Sequence, residues 1–77
     1  MDEFEMTSVD SDLLSEVGFN PATMHGKAVF KKNGAVYGYP GCTAEERDQI
    51  VSGAIAGSVG KTFNALWKYK QGYYKIS

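Results

Sequence analysis

The 77 residues include a single cysteine, a single histidine and two prolines, and these scarcities exclude several classes of protein. A lone Cys42 leaves no internal disulfide and suits a reducing compartment such as the cytoplasm. Cys42 and His25, far apart, fall short of the four-ligand set of a structural zinc site. No apolar run approaches the roughly 18 residues that cross a bilayer. The opening "MDEFEMTSVDSD" is acidic where a signal peptide is basic. The expectation is a cytoplasmic protein with no membrane partner. Catalytic groups are equally sparse: Cys42 has no base near it in sequence, and His25, with no acidic neighbour, reads as a surface or rim histidine. No enzymatic activity and no cofactor is expected.

The stretch "GSVGKT", Gly57 to Thr62, matches the second half of the phosphate-binding pattern G-x-x-x-x-G-K-[ST]. The opening glycine of that pattern falls on Ile55, and no strand precedes it. The residues before it, "TAEERDQIVSGAIA", carry apolar positions at helical spacing. The stretch therefore reads as a helix stop followed by a helix start, with Ser58 as the cap. Amides there can hold an anion, but an ordinary N-cap is the simpler reading.

A chain this short builds one small domain, for which self-association is one source of added stability. Its net charge is −1, unevenly spread. Asp2, Glu3, Glu5, Asp10, Asp12 and Glu16 lie in the first twenty residues with no base, while Lys61, Lys68, Lys70 and Lys75 lie in the last seventeen with no acid. Such asymmetry marks either an interaction surface or two ends that fold onto each other. Residues 1–7 read as a mobile acidic tail.

Local patterns then give the elements. "LLSEVGF" reads as a strand with Leu13, Val17 and Phe19 on one face, ending at the turn "NPAT". Two β-prone runs joined by Asn33-Gly34 read as a two-residue hairpin in which Lys32 faces Ala35, Phe30 faces Tyr37 and Ala28 faces Tyr39. Ala28, Phe30, Tyr37 and Tyr39 then share one face. Thr43-Ala44-Glu45-Glu46 is a capping box that opens a helix with Ile50, Val51, Ala54 and Ile55 on its apolar stripe; Glu45, Arg47, Asp48 and Gln49 suit water. Gly57 ends it, and a second helix carries Val59, Phe63, Leu66 and Trp67. The expected fold is α+β: a small antiparallel sheet of three strands, four if the C-terminal segment joins, packed against two C-terminal helices.

This order of elements resembles the KTSC domain, a small family named for its occurrence at the C-terminus of some lysyl-tRNA synthetases and also found alone. The resemblance runs from about Val9 to Tyr69. It rests on Ser11, the Val17 to Phe19 stretch, Phe30 before Asn-Gly, Tyr37-Gly38-Tyr39, Ser58-x-Gly60-Lys61, Phe63-Asn64 and Tyr69. The chain departs from the family's pattern with Phe19 at a tyrosine position and with "YPGCTAEE" where a segment closer to Y-x-x-V-P is expected. The resemblance implies a single KTSC-like domain over residues 8–77. Through the synthetase association, it also implies an RNA-binding role.

Two functions from different classes follow. The first is a small non-enzymatic module that binds RNA or tRNA, with Lys27, Lys31, Lys32, Lys61, Lys68 and Lys70 for phosphates and an exposed tyrosine for stacking. The second is a protein-interaction module, such as a phage- or mobile-element-encoded protein that engages a host enzyme through its acidic N-terminus or its aromatic C-terminus. In "WKYKQGYYK", Trp67 continues the helix stripe into the core, which leaves Lys68, Lys70, Tyr73 and Tyr74 for a partner. Tyr37 and Tyr39 are either core residues beneath the helices or a stacking platform; a small sheet must bury one face, so core packing is the expected placement.

Overall fold

The computed structural model of the chain describes residues 4–77. Five strands, β1 (Glu5–Ser8), β2 (Leu14–Asn20), β3 (His25–Phe30), β4 (Val36–Tyr39) and β5 (Tyr74–Lys75), form one antiparallel sheet in chain order. Between β4 and β5 the chain forms α1 (Ala44–Ser52) and α2 (Val59–Leu66). The α+β class is as expected, with two more strands than three. One of them, β1, occupies residues expected in the tail: Glu5 pairs with Phe19 and Thr7 with Val17. Its register places Thr7 on the inner face and Met6 over Gly18 on the outer one, so the segment is held on both sides. Of the rest of the expected tail, Phe4 precedes the strand and residues 1–3 lie outside the described residues.

Strand β2 contains a bulge. Leu14 pairs with Phe30 and Glu16 with Val29, which leaves Ser15 as the extra residue. The bulge shifts the alternation by one position, so Leu14 joins Val17 and Phe19 in the core and Leu13 is only half-buried. Simple alternation had favoured Leu13.

The hairpin register also differs from expectation. Ala28 pairs with Tyr37 and Gly26 with Tyr39, two residues from the pairing that a two-residue turn imposes. The Phe30 amide donates to Ala35, and the Gly34 amide closes back on Phe30 O, so the loop spans residues 31–34. Only Gly34 takes a left-handed conformation (φ 70°), whereas the two-residue turn needs it at Asn33 as well. Asn33 instead accepts the Ala35 amide through Oδ1. A slip of two preserves the faces, so Ala28, Phe30, Tyr37 and Tyr39 still share one.

Thr43 forms the expected capping box with Glu46. Helix α1 stops at Gly53 (φ 67°), four residues before Gly57, because the left-handed cap donates back to Gln49 and Ile50. Ala54 and Ile55 consequently lie in an exposed turn. Ser58 caps α2 by accepting the Lys61 amide, so "GSVGKT" is a helix-to-helix turn. Buried Thr62 secures it: its hydroxyl donates to Ser58 O at 2.7 Å and accepts the Ile55 amide at 2.9 Å.

The helices cover one face of the sheet. Ile50, Phe63 and Trp67 meet Leu14, Val17, Phe19, Ala28 and Tyr39 in a single core. The Trp67 ring lies flat against Gly26, where any Cβ would sit 2.6 Å from ring carbons, and its Nε1 donates to Glu46. Arg47, expected in water, lies over the Phe19 ring and pairs with Glu5. Among the described residues no ion pair joins the acidic N-terminal stretch to the C-terminal lysines, although Asp10 and Asp12 line depressions that also hold Lys61 and Lys68. Among the described residues, no helix is long and apolar enough to cross a membrane.

Candidate functional site

From the core, a chain of aromatic rings runs outward to the surface. Trp67 stacks on Tyr39 at 6.1 Å, and Tyr39 and Phe30 each meet Phe63 edge-on. Phe30 meets Tyr37 at 5.7 Å, and Tyr37 and Tyr39 both approach Tyr73. Aromatic pairs at these separations favour such tilted and edge contacts. Because the hairpin faces are fixed by alternation and the core closes over Ala28 and Tyr39, Phe30 and Tyr37 fall at the rim, half-buried.

At that rim the rings border a groove of about 530 Å³. One bank is the β3–β4 loop with Lys32 and Asn33; the other is the segment after α2 with Lys68, Tyr69 and Tyr73. Asp12 and Leu13 also line the groove, tied to the loop by the Lys31 amide donating to Leu13 O. Tyr69 is 80 % exposed and Tyr73 55 %. Among the described residues no ion pair engages Lys32 or Lys68; Lys68 lies 5.5 Å from the Tyr69 ring centre. The arrangement offers flat rings for stacking and free cations for an anionic backbone.

The groove gathers Lys32, Tyr37, Lys68 and Tyr73 from the sequence candidates, with Tyr39 as its floor. Tyr39 is 3 % exposed and so cannot present its ring face to a base. Burial, reinforced by Tyr37, Tyr73 and Cys42 nearby, raises its phenol well above the ordinary value. Lys70 is likewise structural: its Nζ donates to Gly41 O at 2.9 Å and lies 3.6 Å from Glu46. Lys31 is exposed in the loop beside Lys32. Lys27 and Tyr74 lie on the opposite face of the sheet, with Lys27 over the Phe4 ring and the Tyr74 hydroxyl 2.7 Å from His25 Nδ1. Lys61 lines a second depression, about 470 Å³, which shares Asp12 and Leu13 with the groove. Asp10 and Asp12 border that depression too, which weighs against an anion at the start of α2.

Phe30, Tyr69 and Asp12 belong to the site although the sequence did not single them out for binding. Alternation could have found Phe30, which shares a face with Tyr37. Asp12 had no local signal, because its place depends on the β1–β2 loop meeting the β3–β4 loop. Cys42 is buried, and its thiol donates to Tyr39 O. Burial pushes it up to about 11, against smaller opposing effects of the Gly26 backbone and Lys70. Among the described residues, no group of three or more His, Cys, Asp or Glu side chains gathers to hold a metal ion.

No family model and no curated protein matches the chain. Among solved structures, the crystal structure of a KTSC domain protein from Yersinia pestis superposes with a TM-score of 0.80 at 21 % identity, over 97 % of this chain and 100 % of that one. Sheet, helix pair and aromatic hairpin together have the fold of the KTSC domain.

Proposed function

We propose that the chain is a non-enzymatic binding module whose aromatic groove takes single-stranded RNA, including the loops of tRNA. The observation that carries this reading is the convergence of Tyr37, Tyr69 and Tyr73 with two lysines, Lys32 and Lys68, that have no described ion-pair partner. Stacking on such rings is worth about 1–3 kcal/mol per base and tolerates any base, while lysines at the banks neutralise phosphates. Cys42, unpaired and buried, fits the reducing cytoplasm where such an RNA would be met.

The experiment is fluorescence anisotropy with labelled single-stranded RNA and tRNA across a salt series. It compares wild type with Lys32→Ala/Lys68→Ala and uses Lys27→Ala, on the opposite face, as control. The groove reading expects the logarithmic salt slope to fall by about 0.7 per groove lysine removed, with Lys27→Ala unchanged. Salt-independent or absent binding rejects it. A second reading is a protein-interaction module, favoured by the exposure of Tyr69 and Tyr73, residue types that anchor protein interfaces. A purified partner, such as a host enzyme bound by a phage-encoded protein, would then lose affinity on Tyr69→Ala while RNA binds nowhere.

A further inference from the structure

Asp12 is the one acid among the groove-lining residues, beside Lys32 and Lys68. Its carboxylate is exposed, and among the described residues no hydrogen bond or ion pair holds it, not even to those lysines. Next to a phosphate-binding bank, a free carboxylate opposes binding through charge. It favours only a ligand that brings hydrogen-bond donors to that part of the groove.

A carboxylate has two acceptor oxygens and no donor. The Watson–Crick edge of guanine presents two adjacent donors, N1–H and the N2 amino group, that match both oxygens. Adenine and cytosine each present one amino group beside a bare ring nitrogen, which faces the second oxygen lone pair to lone pair. Uracil presents one N–H flanked by two carbonyls. Asp12 lines the same groove as Tyr69 and Tyr73, the rings on which a base would stack.

Resting on the RNA reading of this groove, we propose that Asp12 is a specificity-determining residue that selects guanine among stacked bases. A bidentate contact of this kind discriminates by roughly tenfold or more. The test uses uridine heptamers with one central guanosine, inosine, adenosine or cytidine, read by anisotropy on wild type and Asp12→Ala. Asp12 is exposed, so the variant keeps the fold, which circular dichroism verifies. The guanosine heptamer is expected to bind wild type roughly tenfold more tightly than the adenosine and cytidine ones. Inosine, which lacks the N2 amino group, falls between. In Asp12→Ala the adenosine and cytidine heptamers gain affinity as the repulsion is removed, the guanosine heptamer loses its bidentate contact and does not share that gain, and the guanosine-to-adenosine ratio collapses toward one. That ratio is the decisive readout, because a purely electrostatic Asp12 moves all heptamers together. Equal, lysine-dependent binding of all four by wild type overturns the guanine preference and leaves the RNA groove standing. No salt-sensitive binding of any heptamer overturns both.

Discussion

Replacing Thr62 by valine asks whether the helix-to-helix turn is held by packing or by hydrogen bonds. Valine has nearly the shape of threonine, so the fully buried site stays filled. What disappears is the hydroxyl that accepts from the Ile55 amide and donates to Ser58 O. An amide left without its acceptor costs about 1–3 kcal/mol. The bond to Ser58 O costs about 0.5–1 kcal/mol, since that carbonyl keeps the Thr62 amide as a donor. An added methyl in an apolar site returns about 1 kcal/mol. The net loss is about 2 kcal/mol, a fall in Tm of about 10 °C for a domain of this size. Thr62→Ser keeps both hydrogen bonds and loses one buried methyl, about 1 kcal/mol. The order by thermal and urea unfolding is therefore wild type, then serine, then valine. If valine proves as stable as wild type, or more stable than serine, the hydrogen bonds do not hold this turn and the reasoning fails.

Gly26→Ala forces a methyl into the Trp67 ring, which is pinned by its bond to Glu46; about 1–3 kcal/mol is lost and tryptophan fluorescence shifts. Glu46→Ala removes one carboxylate oxygen that serves the Thr43 amide, Trp67 Nε1 and Lys70. Its cost of about 2 kcal/mol in urea unfolding exceeds that of exposed Glu45→Ala, about 0.5 kcal/mol or less. Cys42 keeps its proton to about pH 11 in the folded chain against about 9 when unfolded. Its contribution is thus complete below about pH 9 and is lost as pH rises toward 11, with Tyr39 acting in the same direction at the alkaline end; urea midpoints for Cys42→Val should fall less over that window than for wild type. Tyr39→Ala costs about 3–5 kcal/mol of stability. Tyr69→Ala leaves the urea midpoint nearly unchanged and weakens RNA binding by about 1–3 kcal/mol.

The elements that rest on local chemistry were legible in the sequence. Thr43 and Glu46 specify the start of α1 through their own two side chains, and Ser58 does the same for α2. Trp67 reads as core from helical spacing alone. The hairpin register did not follow from Asn33-Gly34, because the four-residue loop uses the asparagine side chain to brace Ala35 rather than its backbone to turn. The bulge at Ser15 escaped for a related reason: one inserted residue re-aims Leu14, and alternation carries no mark of it. Residues 5–8 carry mixed polar and apolar side chains, so only pairing with β2 reveals them as a strand. In the groove, the tyrosines were visible as residue types but their split was not. Tyr39 and Tyr37 are two positions apart on one face, and only the position of Trp67 decides that the first is floor and the second rim.

The sheet runs in chain order, and strands β1 to β4 each pair with a neighbour across a short connection. Contacts of such low sequence separation lose little loop entropy and form early. Strand β5 is different: it has two residues and pairs Lys75 with Tyr37 across both helices, a contact of long sequence separation. The bank of the groove that bears Tyr69 and Tyr73 is therefore tethered at one end by the final and slightest piece of the sheet. Amide hydrogen exchange should show the fastest sub-global opening here, with the Val36 and Ile76 amides that bridge the edge exchanging ahead of those shared by β2 and β3. A ligand seated in the groove would slow exchange at that seam first, so the weakest latch of the fold is also its most sensitive reporter of occupancy.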